Sequence, residues 1–284
     1  MLFRSSGNNY TATYTVQPAD NALATTVAVT STDVAGNTTT QNLAAAVTID
    51  TVAPTATATV TALSADTGTS GSDFITRTAA QTISGSFTGT LGTGETIQVS
   101  ADGTTWVNAT TSGSTFTASG VTLVSSSSAL SVRTIDLAGN VTTGTGHSYT
   151  LDTIAPSVSI TSETSNNATS TLAKAGDVIT VAFTSTDTVT SVTIGGRTAT
   201  VTNTGGNNYT ATYTVQSADN ALATTVAVTS TDVAGNTTTQ NLAAAVTIDT
   251  AVPNAPTGLA DTAIVSGYVN SANDLAGQAL TGTA

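Results

Sequence analysis

Apolar and polar positions alternate with period two along residues 156–249. Ile179, Val181 and Phe183 interleave with Thr180, Ala182 and Thr184. Alternation of this kind predicts a strand with one face packed and the other in water. Val192 and Ile194 run into Gly195–Gly196, a two-residue hairpin signal, and Ala199 and Val201 follow. Tyr209, Ala211, Tyr213 and Val215 alternate with threonines. Val226 and Val228 lead to Asp232-Val-Ala-Gly-Asn236, which reads as a turn, and Ala245, Val246 and Ile248 run to Asp249. With Val158 and Ile160 in front, this makes about seven short strands, the number and spacing of an immunoglobulin-like β-sandwich.

The same organisation recurs upstream through Ile83–Leu91, Ile97–Ala101, Trp106–Ala109, Leu130–Arg133 and Tyr149–Leu151, with Asp102–Gly103 marking a hairpin. Internal similarity sets the boundaries. Residues 7–51 and 206–250 are identical except that Pro18 is replaced by Ser217. Asp-Thr-x-x-Pro occurs at Asp50–Pro54, Asp152–Pro156 and Asp249–Pro253, and Asp-x-Ala-Gly-Asn at Asp33–Asn37, Asp136–Asn140 and Asp232–Asn236. A spacing of about 100 residues is that of one sandwich. The expected fold class is therefore all-β: tandem immunoglobulin-like β-sandwiches in an extended array. Residues 1–50 read as the back half of one domain, 55–152 and 156–249 as complete domains, and 254–284 as the front of a fourth. The chain thus reads as a fragment of a longer protein, with its two end pieces poorly ordered or self-associating in isolation.

Composition supports strands and narrows the function. About one residue in four of the 284 is threonine, whose β-branched side chain favours an extended backbone and keeps an outer face wet without charge. Inward positions carry mostly Val, Ala and Ile, so each core is thin. Only 8% of residues are charged, and the net charge is −12. The five cations, Arg4, Arg77, Arg133, Lys174 and Arg197, are scattered singly. That argues against nucleic acid as a partner. No apolar run reaches the roughly 20 residues of a membrane helix. Cysteine is absent, so there are neither disulfides nor thiolate chemistry. Met1–Leu2–Phe3 is too short for the apolar part of an export signal.

The Asp-Thr-x-x-Pro junctions, the Asp-x-Ala-Gly-Asn turns, the stretch Leu172–Val215 and the stretch Thr90–Thr110 resemble bacterial immunoglobulin-like (BIg) repeats of large repetitive surface adhesins. The resemblance covers essentially the whole chain. It implies a secreted, cell-surface stalk whose modules contact their neighbours and are often stiffened by calcium. Host or biofilm surfaces would then be reached through distant domains.

Sandwich topology places the acids. Asp136 and Asp232 fall in F–G turns, Glu95 and Asp187 in B–C loops, and Asp20 and Asp219 in E–F loops, while Asp50, Asp152 and Asp249 belong to the linkers. The junction sets expected are Asp20, Asp50, Glu95 and Asp136; then Asp152, Asp187 and Asp232, with Asp66 or Asp73; then Asp177, Asp219 and Asp249, with Asp261. Clustered carboxylates with few cations should repel unless a hard cation joins them, and calcium takes six to eight oxygens in flexible geometry. Ca2+ at the seams is one reading. The other is that Asp and Asn simply shape turns through bonds to their own backbone.

Other chemistry is sparse. His147, the only histidine, lies at the start of a terminal strand with no nucleophile elbow in the sequence, so no enzyme is expected. Zinc needs several His or Cys ligands. Trp106 reads as a core residue rather than a sugar platform, and Tyr10 and Tyr209 as equivalent inward positions. The expected function is a stalk that projects an adhesive tip from the bacterial surface. The alternative is an immunoglobulin-like module that recognises a glycan or a host surface protein.

Overall fold

The computed structural model describes residues 2–6, 9–22, 25–43, 47–124, 126–261 and 280–283. The chain divides into two compact units: Met1–Ala155 with Asp232–Asn236, and Pro156–Thr231 with Thr237–Ala284. Among the described residues there is no α-helix. The helical pieces among the described residues are single 3-10 turns at Pro18–Asp20 and Ser217–Asp219.

The first unit opens with two separate two-stranded sheets. β1 (Leu2–Ser6) pairs β2 (Asn9–Thr13), and β3 (Val27–Thr32) pairs β4 (Thr38–Leu43), both antiparallel. A sandwich follows, built from β5 (Thr57–Leu63), β6 (Ile75–Thr76), β7 (Ala80–Thr88), β8 (Thr96–Ser100), β9 (Val107–Asn108), β10 (Thr110–Ser112), β11 (Thr115–Thr122), β12 (Ser126–Ile135), β13 (Val141–Thr143) and β14 (His147–Leu151). One sheet has the order β10-β11-β7-β5. The other runs β6-β14-β12-β8-β9, with β13 also on β12 and β6 parallel to β14. Ile83, Phe116, Ile97, Val99, Leu130 and Val132 fill the space between the sheets. Gly85 explains itself here. A Cβ at that position would lie 2.2 Å from the Thr59 carbonyl oxygen and 2.3 Å from the Phe116 ring, so the ring occupies the space a side chain would need.

The second unit repeats the plan with β15 (Val158–Ser165), β16 (Leu172–Ala173), β17 (Val178–Ser185), β18 (Thr188–Ile194), β19 (Arg197–Thr198), β20 (Thr200–Gly205), β21 (Asn208–Thr214), β22 (Val226–Thr231), β23 (Thr237–Leu242) and β24 (Thr247–Ile248). Its sheets are β15-β17-β21-β20 and β19-β18-β22-β23, and β16 runs parallel to β24. These are the two sheets of an immunoglobulin-like sandwich. Ile179, Val181 and Phe183 on one sheet meet Val192, Ile194, Val226 and Val228 on the other. Each such fully buried side chain contributes about 1.5–3 kcal/mol of transfer free energy. The Gly195–Gly196 turn has φ of 58° and 74°, positive at both central residues as a tight β18–β19 hairpin requires. Beyond it, β25 (Thr257–Asp261) pairs β26 (Leu280–Thr283).

The edge strands β5 and β15 each carry a bulge, at Val60/Ala62 and Ile160/Ser162. β15 also turns Glu163 inward, where its Oε2 accepts a hydrogen bond from the Ala245 amide at 2.9 Å. Bulges and inward charges are devices that keep an edge from pairing with another chain. Three sequence expectations differ from the structure. Trp106 is only partly buried and lies outside the core, with the Arg133 guanidinium 3.9 Å from its ring centroid. Val201 is exposed on the open face of β20. Tyr209 is part-buried and stacks on Phe183 with centroids 5.5 Å apart, but Tyr10 is exposed, although its sequence surroundings are identical.

Candidate functional site

The three Asp-x-Ala-Gly-Asn turns share one geometry. In the first unit's sandwich Asp136 Oδ1 accepts hydrogen bonds from the Ala138 and Asn140 amides, both at 2.9 Å, and Oδ2 accepts from Asn140 Nδ2 at 2.8 Å. Asp33 does the same with Ala35 and Asn37. Asp232 takes the Asn236 amide at 2.9 Å and its Nδ2 at 2.8 Å. The glycines Gly36, Gly139 and Gly235 sit at φ of 85°, 92° and 87°, which only glycine adopts readily. Donation from the asparagine amide is the main reason that the Asp33 and Asp136 carboxyls titrate below the ordinary aspartate range.

The asparagine has a second task. Asn140 Nδ2 also donates to the backbone carbonyl of Asp50 at 3.1 Å, and Asn236 Nδ2 to the backbone carbonyl of Asp152 at 2.9 Å, both within the first unit. The recurrent turn is therefore tied to the recurrent Asp-Thr-x-x-Pro segment. That segment is held along its length. Asp50, Asp152 and Asp249 each use Oδ1 to accept the amide two residues on, at 3.0, 2.9 and 2.9 Å. The Thr51 amide donates to Asn21 Oδ1 at 3.0 Å and its hydroxyl to the Pro18 carbonyl at 3.0 Å, while Thr250 repeats both bonds with Asn220 and Ser217 at 2.9 Å each. The Thr142 hydroxyl donates to the Pro54 carbonyl. In the first unit the Asp50–Pro54 segment is thus bonded to the loop before it and to the turn after it.

Glu95 lies between β7 and β8 and Asp187 between β17 and β18, Asp20 and Asp219 lie in the 3-10 turns, and Asp136 and Asp232 in the turns just described. Their oxygens are largely used locally. Glu95 Oε2 accepts the Gly92 amide at 2.9 Å, and Asp187 Oδ2 accepts the Thr186 hydroxyl at 2.9 Å. Asp20 Oδ2 accepts the Tyr14 hydroxyl at 2.8 Å and the Gln17 amide at 2.7 Å. Asp219, 2% exposed, accepts the Tyr213 hydroxyl at 2.6 Å and the Gln216 amide at 2.8 Å, and pairs with Arg197 Nη2 at 3.1 Å. The tyrosine hydroxyl is the first cause holding the Asp219 carboxyl low, and the same bond pushes the Tyr213 phenol up. Asp66 Oδ2 takes the Phe74 amide at 3.0 Å, Asp73 Oδ1 the Ile75 amide at 3.0 Å, and Asp177 Oδ2 both Asn167 Nδ2 and the Lys174 amide, at 2.7 and 2.9 Å. The Asp261 side chain lies outside the described residues.

Calcium can be tested against these donors. The donor type fits: Oδ2 of Asp50, Asp152 and Asp249 accepts no hydrogen bond among the described residues, and backbone carbonyls adjoin each. The buried Asp66 Oδ1 and Glu163 Oε1 likewise have no hydrogen-bond partner. Convergence is a separate matter, because among the described residues no three His, Asp or Glu side chains come together as a metal shell.

Sequence reasoning missed the Arg197–Asp219 pair, since a lone arginine and an aspartate 22 residues away carry no shared pattern. It also missed the reach of Asn140 and Asn236, although the fixed Asp–Asn spacing was a visible signal. His147 is exposed at the start of β14, where its ring stacks on Phe74 with centroids 3.6 Å apart and Nδ1 lies 2.7 Å from its neighbour's carbonyl oxygen. Arg133 donates from Nε to Gln98 Oε1 at 2.8 Å while covering Trp106. No helix among the described residues is long and apolar enough to cross a membrane.

No family model matches the chain, and no curated protein matches it. Among solved structures it is similar to a Ca2+-stabilised adhesin that helps an Antarctic bacterium reach out and bind ice, at 25% identity and a TM-score of 0.43, over 85% of this chain and 60% of that one. A 1.5-MDa bacterial ice-binding adhesin is similar at 24% identity and a TM-score of 0.38, over 80% and 74% of the two chains. The fibronectin(III)-like modules of Clostridium thermocellum CbhA match at 14% identity and a TM-score of 0.34, over 68% and 93%. The chain spans less than two thirds of the length of the first of these.

Proposed function

We propose that the chain is a non-catalytic spacer segment of a bacterial cell-surface adhesin, a run of immunoglobulin-like modules that carries an adhesive tip away from the cell. The four-part division at residues 1–50, 55–152, 156–249 and 254–284 belongs to this reading, as does the extracellular location. The observation that carries it is the repeated treatment of the Asp-Thr-x-x-Pro segment. Proline fixes its own φ and restricts the residue before it. An Asx turn at the aspartate and a bond from the next turn's asparagine to its carbonyl remove further freedom. A site built for catalysis would converge on a substrate. Here the recurrent polar residues converge on the linker instead. Trp106, the residue a sugar platform would need, is covered by Arg133.

Calcium is the second part of the proposal. Asp50, Asp152 and Asp249 would hold it through the uncommitted Oδ2 and neighbouring carbonyls. Bound, it would supply a fixed positive charge that offsets carboxylate repulsion in a chain of net charge −12. Calorimetry and small-angle scattering of the full chain with calcium and then with EDTA test this part. The melting temperature should fall and the scattering envelope should change when calcium is removed, and identical curves sink it. The spacer reading is tested by probing the full chain against glycan and matrix-protein arrays. No saturable binding is expected, whereas specific binding to one class would favour a recognition module.

A further inference from the structure

Arg133 stands on the outer face of the first unit's sandwich. Its neighbours on β12, Val132 and Thr134, are 1% and 0% exposed, so the side chain between them points away from the core. β12 pairs β8 with Arg133 opposite Gln98, and β8 pairs β9 with Gln98 opposite Asn108. The three side chains are bonded in series. Gln98 Nε2 donates to Asn108 Oδ1 at 2.8 Å, which fixes the Gln98 amide, and Gln98 Oε1 accepts from Arg133 Nε at 2.8 Å. The guanidinium carbon lies 3.9 Å from the centroid of the Trp106 ring. The guanidinium is therefore anchored at Nε and supported on one face.

Its other two nitrogens are uncommitted. Among the described residues Nη1 and Nη2 of Arg133 make no hydrogen bond and no ion pair. The acids that flank this cluster in the sequence are spent on their own turns. Asp102 Oδ1 accepts the Thr104 and Thr105 amides at 2.8 and 2.6 Å, and its Oδ2 the Thr105 hydroxyl at 2.8 Å. Asp136 is bonded in the same manner to Ala138 and Asn140. Arg197, by contrast, meets Asp219. Arg133 is thus a cation without an acid in a chain of net charge −12.

We propose that Arg133, Gln98 and Trp106 form a carboxylate-binding site whose ligand is a side-chain carboxylate of another polypeptide. The end of an arginine presents two parallel N–H donors that match the two oxygens of a carboxylate. Here the fork is oriented before a ligand arrives. Gln98 holds Nε and the indole supports the cation, so little side-chain freedom is lost on binding. A uronic acid offers the same two oxygens, but its sugar ring needs an aromatic face, and the Trp106 face is already occupied by Arg133. A polypeptide carboxylate needs no such platform. This inference does not depend on the spacer reading. One fork of this kind binds at about millimolar strength, too weakly to register on an array.

Trp106 is the only tryptophan of the chain, so its fluorescence and its single indole N–H resonance report on the site directly. The full chain is titrated at constant ionic strength with the blocked peptide Gly-Asp-Gly. Gly-Asn-Gly is the neutral control, and glucuronate, phosphate and chloride are the competing anions. The proposal expects a saturable change with Gly-Asp-Gly, at lower concentration than with any other probe. Arg133→Gln should abolish it. Arg133→Lys, which keeps the charge and loses the fork, should weaken it about fivefold or more. Gln98→Ala, which frees Nε, should weaken it about two- to threefold. All three substitutions lie on the outer face, and the calorimetric transition shows that the sandwich remains folded. The absence of a saturable change, an equal response to Gly-Asn-Gly or chloride, or full affinity in any of the three variants overturns the proposal. Glucuronate or phosphate binding as tightly as the peptide overturns the assigned ligand.

Discussion

Replacing Val228 and Val29 by alanine, one at a time, sets the same substitution in the same local sequence against two environments. Val228 lies between the sheets of the second unit, wholly buried among Val181, Val192 and their neighbours. Removing two carbon groups at about 0.8 kcal/mol each costs about 1.6 kcal/mol in transfer. The space left behind adds a cavity term, bringing the loss to about 2–3 kcal/mol. For a domain of this size each kcal/mol moves the midpoint by about 4–8 °C, so the transition of this sandwich should fall by about 10–20 °C. Val29→Ala, on an open face, should cost no more than about 0.5 kcal/mol. Differential scanning calorimetry of the full chain reads both, and Val132→Ala, buried in the first unit's sandwich, identifies the other transition. If Val29→Ala lowers a transition as much as Val228→Ala does, or if Val228→Ala moves nothing, the assignment of one covered and one open copy is wrong.

Acid should weaken the second unit through Asp219. Its folded pKa lies below the unfolded value of about 3.9, so its stabilising contribution is complete above about pH 4 and is lost as pH falls through the folded value. Denaturant midpoints measured from pH 6 to pH 2 should drop accordingly, with a shallower drop in Asp219→Asn. Tyr213→Phe removes the hydroxyl that holds this carboxylate, and should raise the Asp219 pKa as followed by NMR while costing about 1–2 kcal/mol. Asn140→Ala should cost about 0.5–1.5 kcal/mol and speed amide exchange across residues 50–54, whereas Asn37→Ala, whose amide reaches no linker carbonyl, should leave those rates alone. Gly85→Ala forces a Cβ onto the Phe116 ring and the Thr59 carbonyl and should cost at least about 1–3 kcal/mol in chemical denaturation, well above Gly71→Ala in open surroundings.

The fold was largely legible because its signals are local. Period-two alternation placed Ile179, Val181 and Phe183 inward, Gly195–Gly196 marked its hairpin, and the repeated Asp-x-Ala-Gly-Asn strings marked recurrent turns. Trp106 was misplaced because its strand position alone could not show that Arg133, distant in sequence, covers the ring on the outer side. The acids lie in turns and loops between strands, where Asp and Asn are favoured. Their partners were less legible. An aspartate in a turn can look outward to a cation or back to its own amides, and the composition is the same in both cases. Asp33, Asp136 and Asp232, each four residues before an asparagine, carried a pattern that distinguishes the second outcome.

The duplicated stretch separates two things that sequence usually confounds. Hairpin register, the Asp33–Asn37 and Asp232–Asn236 turns and the threonine contacts are the same in both copies, so they follow from the residues themselves. Burial is not the same, so it follows from what covers them. Asp20 and Asp219 make the point for charge: each accepts its tyrosine hydroxyl and its glutamine amide, and among the described side chains only Asp219 also has an arginine. The tyrosine and amide bonds therefore form a preset cradle that does not need the ion pair, and the arginine is an addition made by the covering strands. A carboxylate held this way loses little freedom when a cation arrives, because its orientation is already fixed. Added salt should accordingly weaken the Arg197–Asp219 pair, while the Tyr213 and Gln216 bonds to the same carboxylate should respond little.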